Sequence, residues 1–139
     1  MNILGIDYGD ARTGLSVSDP TGLLAGSPTV IKERVYDRLL DQLCTFIAQN
    51  QIDEIVLGYP KNMDGSIGER AQKCQELAST LQARTGLPVT LWDERRSTVS
   101  AHQILHASGK KMKKHRETVD AVAASLILQS YLDFKRNRP

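Results

Sequence analysis

Cysteine, aromatic residues and long apolar runs are all scarce in this sequence of 139 residues. The two cysteines, Cys44 and Cys74, match neither a redox pair nor a zinc-binding pattern, and both fall on the apolar stripes of predicted helices. We therefore expect reduced core thiols. No apolar run approaches the ~20 residues that a membrane span needs, and the first residues lack the basic start of a signal peptide. These absences predict a cytoplasmic protein that does not enter a membrane.

Aromatic residues make up only 5% of the chain, so Trp92 and the tyrosines are expected to pack in or around the core rather than to stack on bases. His102 and His106 have the spacing of metal ligands on a helix, but no third ligand accompanies them as in a zincin. A zinc site is therefore disfavoured. No Ser-His-Asp or Cys-His combination is apparent, so water is the expected nucleophile.

Charge is present in ordinary amount but is unevenly distributed along the chain. Residues 1–94 carry 8 Lys and Arg against 13 Asp and Glu, whereas residues 95–139 carry 10 against 3. The basic third includes the run "GKKMKKHR" and a "KRNR" tail. Such a concentration of positive charge is typical of a surface that binds a polyphosphate, and a solvated loop with a frayed tail is the alternative.

Hydrophobic patterning predicts one domain, 1–139, with the element order βββαβαβαα. The segments "NILGIDYG" and "TGLSVSD" form an antiparallel hairpin, with "LLAGSPTVI" as a third strand. The later strands "DEIVLG" and "LPVTLWDE" alternate with helices, one of them capped by Ser66 with Glu69 and the next by Ser97 or Thr98. Right-handed crossovers make these two strands parallel to the first. The pattern therefore predicts a mixed five-stranded sheet flanked by helices.

Acidic residues follow the predicted strands at one edge of this sheet. Asp7 ends the first strand, Asp93 and Glu94 end the last, and the loop from Gly58 to Ser66 leaves the same edge, where ligands bind in such sheets. Asp120, on the final helix, is a further acid that could reach this edge, although an acid in a first helical turn also complements the helix dipole. Clustered carboxylates suit Mg²⁺ or Mn²⁺, and two such ions hydrolyse phosphodiesters.

The segments "LGIDYGDARTGLSVSD", "GYPKNMDGS", "DERRST" and "VDAVAASLILQSYL" occur in an order that resembles the YqgF/RuvX family. This family is described as a Holliday junction resolvase and as a nuclease that matures pre-16S ribosomal RNA. The resemblance implies an RNase H-like fold, a divalent-metal nuclease, and catalytic carboxylates at Asp7, Glu94 and Asp120. One departure is Asp10, where the family motif has Thr.

On this resemblance Asp7 bridges two metal ions, and Glu94 and Asp120 each hold one of them. Gly9 keeps the backbone clear for the substrate or a metal-bound water. A flanking phosphate is received by Lys61 and Asn62 together with the helix start at Ser66. Arg95 either contacts a phosphate or pairs with Asp93. The full set assigned to substrate binding is Gly9, Arg12, Lys61, Asn62, Ser66, Arg95, Lys110, Lys111, Lys113 and Lys114.

Three functions remain open at this point. The leading hypothesis is 5′-end maturation of pre-16S ribosomal RNA, with structured RNA and ribosomal precursor particles as partners. The alternatives are a resolvase of four-way DNA junctions and a non-catalytic nucleic-acid-binding factor in ribosome assembly or transcription. An actin-like ATPase or sugar kinase shares the Asp-x-Gly hairpin, but it needs a second lobe that 139 residues cannot hold.

Overall fold

A computed structural model describes residues 1–61, 64–96 and 112–137, and for 112–121 it describes the helical backbone alone. The elements in chain order are β1 (Ile3–Asp7), β2 (Arg12–Val17), β3 (Thr29–Lys32), α1 (Tyr36–Gln49), β4 (Glu54–Tyr59), α2 (Glu69–Thr85), β5 (Val89–Asp93) and α3 (Met112–Arg136). None of the helices in these described segments is both long enough and apolar enough to cross a membrane.

The five strands form one mixed sheet in the order β3-β2-β1-β4-β5. β1 pairs antiparallel with β2, and β2 with β3, whereas β4 pairs parallel with β1 and β5 parallel with β4. Both the antiparallel beginning and the parallel continuation predicted from the sequence are confirmed. The carboxyl ends of β1, β4 and β5 therefore lie at the same end of the sheet.

Alternating residues of β1 and β4 pack on opposite faces of the sheet, as strand geometry requires. Leu4 and Ile6 belong to the larger core, which also contains the apolar residues of α1 and α2. Ile3 and Val56 belong to a second core with α3, in which Trp92 packs edge-on against Tyr131, their ring centroids 5.4 Å apart. The prediction that the aromatic residues serve packing is confirmed for these two rings.

The helix α3 runs antiparallel to β4. The hydroxyl of Tyr131 donates to the carboxylate of Glu54, the first residue of β4, whereas Ile127 lies beside Gly58 near the end of that strand. Successive turns backward along α3 therefore approach the carboxyl end of the sheet. At a rise of about 1.5 Å per residue, position 120 lies about 10 Å further in that direction than Ile127.

Three boundaries differ from the sequence prediction. The third strand spans only Thr29–Lys32, because Pro28 cannot donate to a ladder and the amides of Leu23 and Leu24 bond the side chain of Asp19 instead. α2 begins at Glu69 with Gly68 as its N-cap, so the capping role predicted for Ser66 is wrong. The helix predicted from Ser97 or Thr98 lies outside the described residues.

Candidate active site at the carboxyl end of the sheet

Two of the three predicted carboxylates lie at the carboxyl end of the sheet. Asp7 is the last residue of β1, and Glu94 directly follows β5, where its amide donates to the carbonyl of Tyr59 on β4 at 3.1 Å. Asp7 follows Gly5 by two residues, and a Cβ at Gly5 would contact Leu128 of α3. Asp7 therefore projects on the side of the sheet that α3 covers.

Glu94 reaches over the neighbouring strand because that strand has a glycine beneath it. A Cβ built on Gly58 would lie 3.2 Å from Glu94 Oε1 and 2.6 Å from Ile127 of α3. The carboxylate thus occupies the space above Gly58, between β5 and β1, on the same face as Asp7. Any larger residue at position 58 would push the carboxylate or the helix away, so this glycine belongs to the architecture of the candidate site.

Both acids lie close enough to one buried thiol for their charges to affect its pKa. Burial raises the pKa of the Glu94 carboxyl, the charge of Arg70 lowers it, and Asp93 raises it. Burial likewise raises the pKa of the Cys74 thiol to about 11, and the charges of both Glu94 and Asp7 add to that increase. One buried thiol on α2 therefore experiences both carboxylates. It is a free thiol, as predicted for Cys74 and Cys44.

Arg70 is a member of this site that the sequence prediction missed. Its guanidinium donates to the backbone carbonyl of Tyr8, directly after Asp7, and approaches Asp10 at 3.7 Å. Its positive charge also lowers the pKa of Glu94 and of Cys74. A single arginine in the first turn of a helix carries no distinctive pattern in the sequence. Only the packing of α2 beside the β1–β2 turn brings this cation to the acids.

The turn after Asp7 explains two further positions. A Cβ at Gly9 would collide with the backbone carbonyl of Arg12, so glycine is required there by the turn itself. Asp10, the departure from the family motif, is exposed and lies 3.7 Å from both Arg70 and Lys73 on α2. It partly neutralises the two cations that border the site.

The remaining predicted contacts are spread around this end of the sheet. Arg95 forms a bidentate ion pair with Asp93, in which Nη2 donates to Oδ2 at 2.7 Å and Nε donates to Oδ1 at 3.1 Å. This pairing lowers the pKa of the Asp93 carboxyl, so of the two predicted roles of Arg95 the structure contains the pairing. Lys61 lies 5.7 Å above the ring of Tyr59. The hydroxyl of Ser66 donates to Asp64 at 2.6 Å rather than capping α2. Asn62, Lys110 and Lys111 lie outside the described residues, as do His102 and His106 of the disfavoured zinc site.

The third predicted carboxylate belongs to α3. That helix begins at Met112, so Asp120 is not in its first turn, and the alternative that it merely complements the helix dipole is wrong. The backbone of α3 carries Asp120, Lys113 and Lys114 toward the carboxyl end of the sheet. Among the side chains that the structure describes, which exclude Asp120, no three His, Cys, Asp or Glu are grouped so as to hold a metal ion.

Comparison with known proteins identifies the family. A model described as "RuvX: Holliday junction resolvase" matches residues 1–134. The chain belongs to the RuvX family. Two curated relatives, from Lachnospira eligens and Geobacillus kaustophilus, are 41% and 44% identical to it, each alignment covers 98% of this chain and at least 99% of the relative, and both carry the name "Putative pre-16S rRNA nuclease".

Solved structures agree on the fold of this RuvX family member. The RuvC of T. thermophilus in complex with a Holliday junction substrate superposes with a TM-score of 0.62, at 15% identity, over 100% of this chain and 99% of that one. At this identity the likeness shows a shared fold, and it confirms the predicted RNase H-like architecture.

Proposed function

We propose that this protein is a divalent-metal-dependent endonuclease that cleaves structured RNA and matures the 5′ end of pre-16S ribosomal RNA in the cytoplasm. The observation that carries the proposal is the pairing of RuvX family membership with two carboxylates, Asp7 and Glu94, on one face at the carboxyl end of the sheet. Hydrolysis of a phosphodiester is the chemistry that such a site performs best.

The donor set fits a hard divalent cation. Asp7 and Glu94 both offer carboxylate oxygens, the ligands that Mg²⁺ and Mn²⁺ prefer. Burial raises the pKa of Glu94, which means that its charged form gains from a bound cation. Asp7, Glu94 and Asp120 would hold the metal ions, which would supply activation of a water molecule and stabilisation of the leaving oxygen.

The protein supplies orientation and charge around the cut. Asp7 is held at the end of the central strand. Glu94 is fixed by the hydrogen bond from its backbone amide to the carbonyl of Tyr59 and by the space above Gly58. Arg70, anchored on the carbonyl of Tyr8, is placed to contact a phosphate oxygen beside the acids. The basic residues Lys110, Lys111, Lys113 and Lys114 bind the phosphate backbone of the substrate.

A second candidate, the resolution of four-way DNA junctions, is favoured by the description of the family model. The chemistry at the carboxylates is the same for both substrates, because each reaction hydrolyses a phosphodiester. What separates the two functions is which folded nucleic acid the surrounding surface accepts.

The test is cleavage of two labelled substrates, a precursor containing the 5′ end of 16S ribosomal RNA and a synthetic four-way DNA junction. Each is incubated with the protein in Mg²⁺, in Mn²⁺ and in chelator. We expect specific cleavage of the RNA that requires the metal. Asp7→Asn and Asp120→Asn should each reduce it at least about 100-fold, since they remove a metal ligand.

Arg84→Gln is the matched control, because Arg84 pairs with Asp41 on the exposed surface at the other end of α2. Preferential cleavage of the junction would select the resolvase function. Binding of either substrate without cleavage under every condition would contradict a nuclease and favour a binding factor. Full activity of either carboxylate variant would remove that residue from the site.

A further inference from the structure

A basic cleft lies beside the candidate active site, at the start of β2 and the end of β3. It has a volume of about 330 Å³ and is lined by Ala11, Arg12, Lys32, Glu33 and Arg34. Arg12 and Lys32 are directly opposite each other in the sheet, and the amide of Glu33 donates to the carbonyl of Ala11 at 3.0 Å. The cleft is therefore built on a paired strand end rather than on an isolated loop.

The one acid in the cleft, Glu33, accepts hydrogen bonds from neutral amide groups. One carboxylate oxygen of Glu33 accepts from the amide of Val35 at 3.2 Å, and the other accepts from the side-chain amide of Gln42 at 2.8 Å. Both oxygens are thus committed to the start of α1. Three cations line the cleft against this single acid, so its lining carries net positive charge.

Two of these cations form no ion pair with the side chains that the structure describes, those of residues 1–61, 64–96 and 122–137. They are Arg12 and Arg34, and the buried Nε of Arg12 has no hydrogen-bond partner in the same segments. Because Nε of Arg12 is closed to solvent, only the terminal guanidinium nitrogens of the half-buried Arg12 and the exposed Arg34 can bind an anion from the cleft. The oxygens of a phosphate suit such charged donors.

The position of the cleft identifies where such a phosphate belongs. The end of β1, the start of β2 and the end of β3 are neighbours at one end of the sheet, because these strands are antiparallel. Two strand spacings of about 4.8 Å separate β3 from β1, and Lys32 lies two residues beyond the level of Asp7, so the end of β3 lies on the order of 12 Å from Asp7. This distance is short enough for one strand of a nucleic acid to contact both the cleft and the acids.

We infer that the cleft formed by Arg12, Lys32 and Arg34 binds a backbone phosphate of the nucleic-acid substrate within a few nucleotides of the cleaved bond. The inference rests on the proposed function and extends it. It places a strand of the substrate across β2 and β3, on the flank opposite β5 and Glu94.

The test measures binding in chelator, so that it does not depend on cleavage. Affinity for the RNA precursor stem is measured over a range of salt concentrations for the wild type, for Arg34→Gln and for Arg12→Gln/Arg34→Gln. The double variant should bind roughly 10- to 100-fold more weakly, the usual worth of charge-assisted hydrogen bonds. Its log K against log salt should be shallower by up to about 0.9.

The matched control for Arg34→Gln is Arg84→Gln. It also removes one arginine, which forms an exposed ion pair with Asp41 at the end of α2 and thus at the amino end of the sheet. We expect this control to bind within about 2-fold of the wild type. Arg34 is exposed, so its single variant keeps the test valid even where replacement of the half-buried Arg12 impairs folding.

A second measurement locates the phosphate. Single neutral methylphosphonates are placed at successive positions of the substrate. Substitution at one position within a few nucleotides of the cut should weaken binding by the wild type and should not change binding by the double variant. Competition by inorganic phosphate or a mononucleotide at micromolar concentration would instead assign the cleft to a free phosphate ligand and overturn the inference.

Equal affinity of Arg34→Gln and its control would also overturn the inference. A wild type that binds neither the RNA nor the junction would contradict the proposed function itself, so the two failures are distinguishable.

Discussion

Two glutamates at opposite ends of the same sheet are treated differently by the structure. Glu54 begins β4 at the amino end, is buried, and accepts from the hydroxyl of Tyr131 and from Lys135 Nζ at 2.9 Å. Glu94 follows β5 at the carboxyl end, where burial raises its pKa more than the charge of Arg70 lowers it. Glu54 thus has a hydroxyl and an ammonium group as partners, whereas burial makes the ionisation of Glu94 costly.

This contrast distinguishes an acid that stabilises the fold from an acid held for chemistry. A buried carboxylate with a hydroxyl and an ammonium group is satisfied without any ligand. A buried carboxylate whose ionisation is unfavourable gains most from an additional cation. Exposure alone would not separate the two residues, because both are withdrawn from water.

The most direct test of this distinction is to remove the charge of each glutamate in turn and to measure catalysis. Glu94→Gln should lower metal-dependent cleavage at least about 100-fold, since a neutral amide is a poor ligand for a hard cation. Glu54→Gln should leave the rate per folded molecule within about 2-fold of the wild type. The measurement is single-turnover cleavage of the RNA precursor, and equal losses in both variants would contradict the distinction.

Replacement of Glu54, in contrast, should lower the free energy of unfolding. Glu54→Ala removes the acceptor that the hydroxyl of Tyr131 and the ammonium of Lys135 share. We expect this substitution to lower the unfolding free energy by about 3 kcal/mol. This value is at the low end for a broken buried pair, because Lys135 reaches solvent. Asp41→Ala, which breaks the exposed pair with Arg84, should cost about 0 to 1 kcal/mol. Urea denaturation measures both, and similar losses would show that Glu54 is not specially stabilised.

Metal binding should separate Asp7 from a purely structural acid. In chelator, Asp7→Asn should melt at the same temperature as the wild type or slightly higher, because like charges near Glu94 are relieved. The wild type should gain about 2.7 kcal/mol when Mn²⁺ is at 100 times its dissociation constant, and the variant should lose most of that gain. Four thermal melts suffice, and a variant that is destabilised in chelator yet gains equally from Mn²⁺ would place Asp7 in a structural role.

The smallest expected effect is a dependence on pH. The folded-state pKa of Glu94 is raised, so its ionisation disfavours the folded state at neutral pH, and this penalty disappears as pH falls through the raised pKa. In chelator, Glu94→Gln should therefore melt above the wild type at pH 7.5, and the difference should shrink toward pH 5. A gap that widens on acidification would reverse the sign and contradict the burial argument.

Local patterning accounts for much of what was predicted correctly. The hairpin, the parallel strands and the position of Asp7 at a strand end follow from hydrophobic periodicity and the rules of strand connection, which act over a few residues at a time. The site was predictable to the extent that carboxylates follow strands. The boundaries of helices and strands were less predictable from the sequence. Ser66 matched a capping pattern, yet its hydroxyl donates to Asp64 and α2 begins after Gly68.

The order of helices and strands, their pairing and the end of the sheet at which the acids lie can all be predicted from the amino-acid sequence. Three contacts arise only when the chain is folded: Arg70 with the carbonyl of Tyr8, Glu94 with the space above Gly58, and Glu54 with Tyr131, 77 residues away. Hydrophobic periodicity depends on residues that are near one another in the sequence, whereas these contacts depend on how each helix packs on the sheet. That docking is set by the packing of the whole core, so no short stretch of sequence contains it.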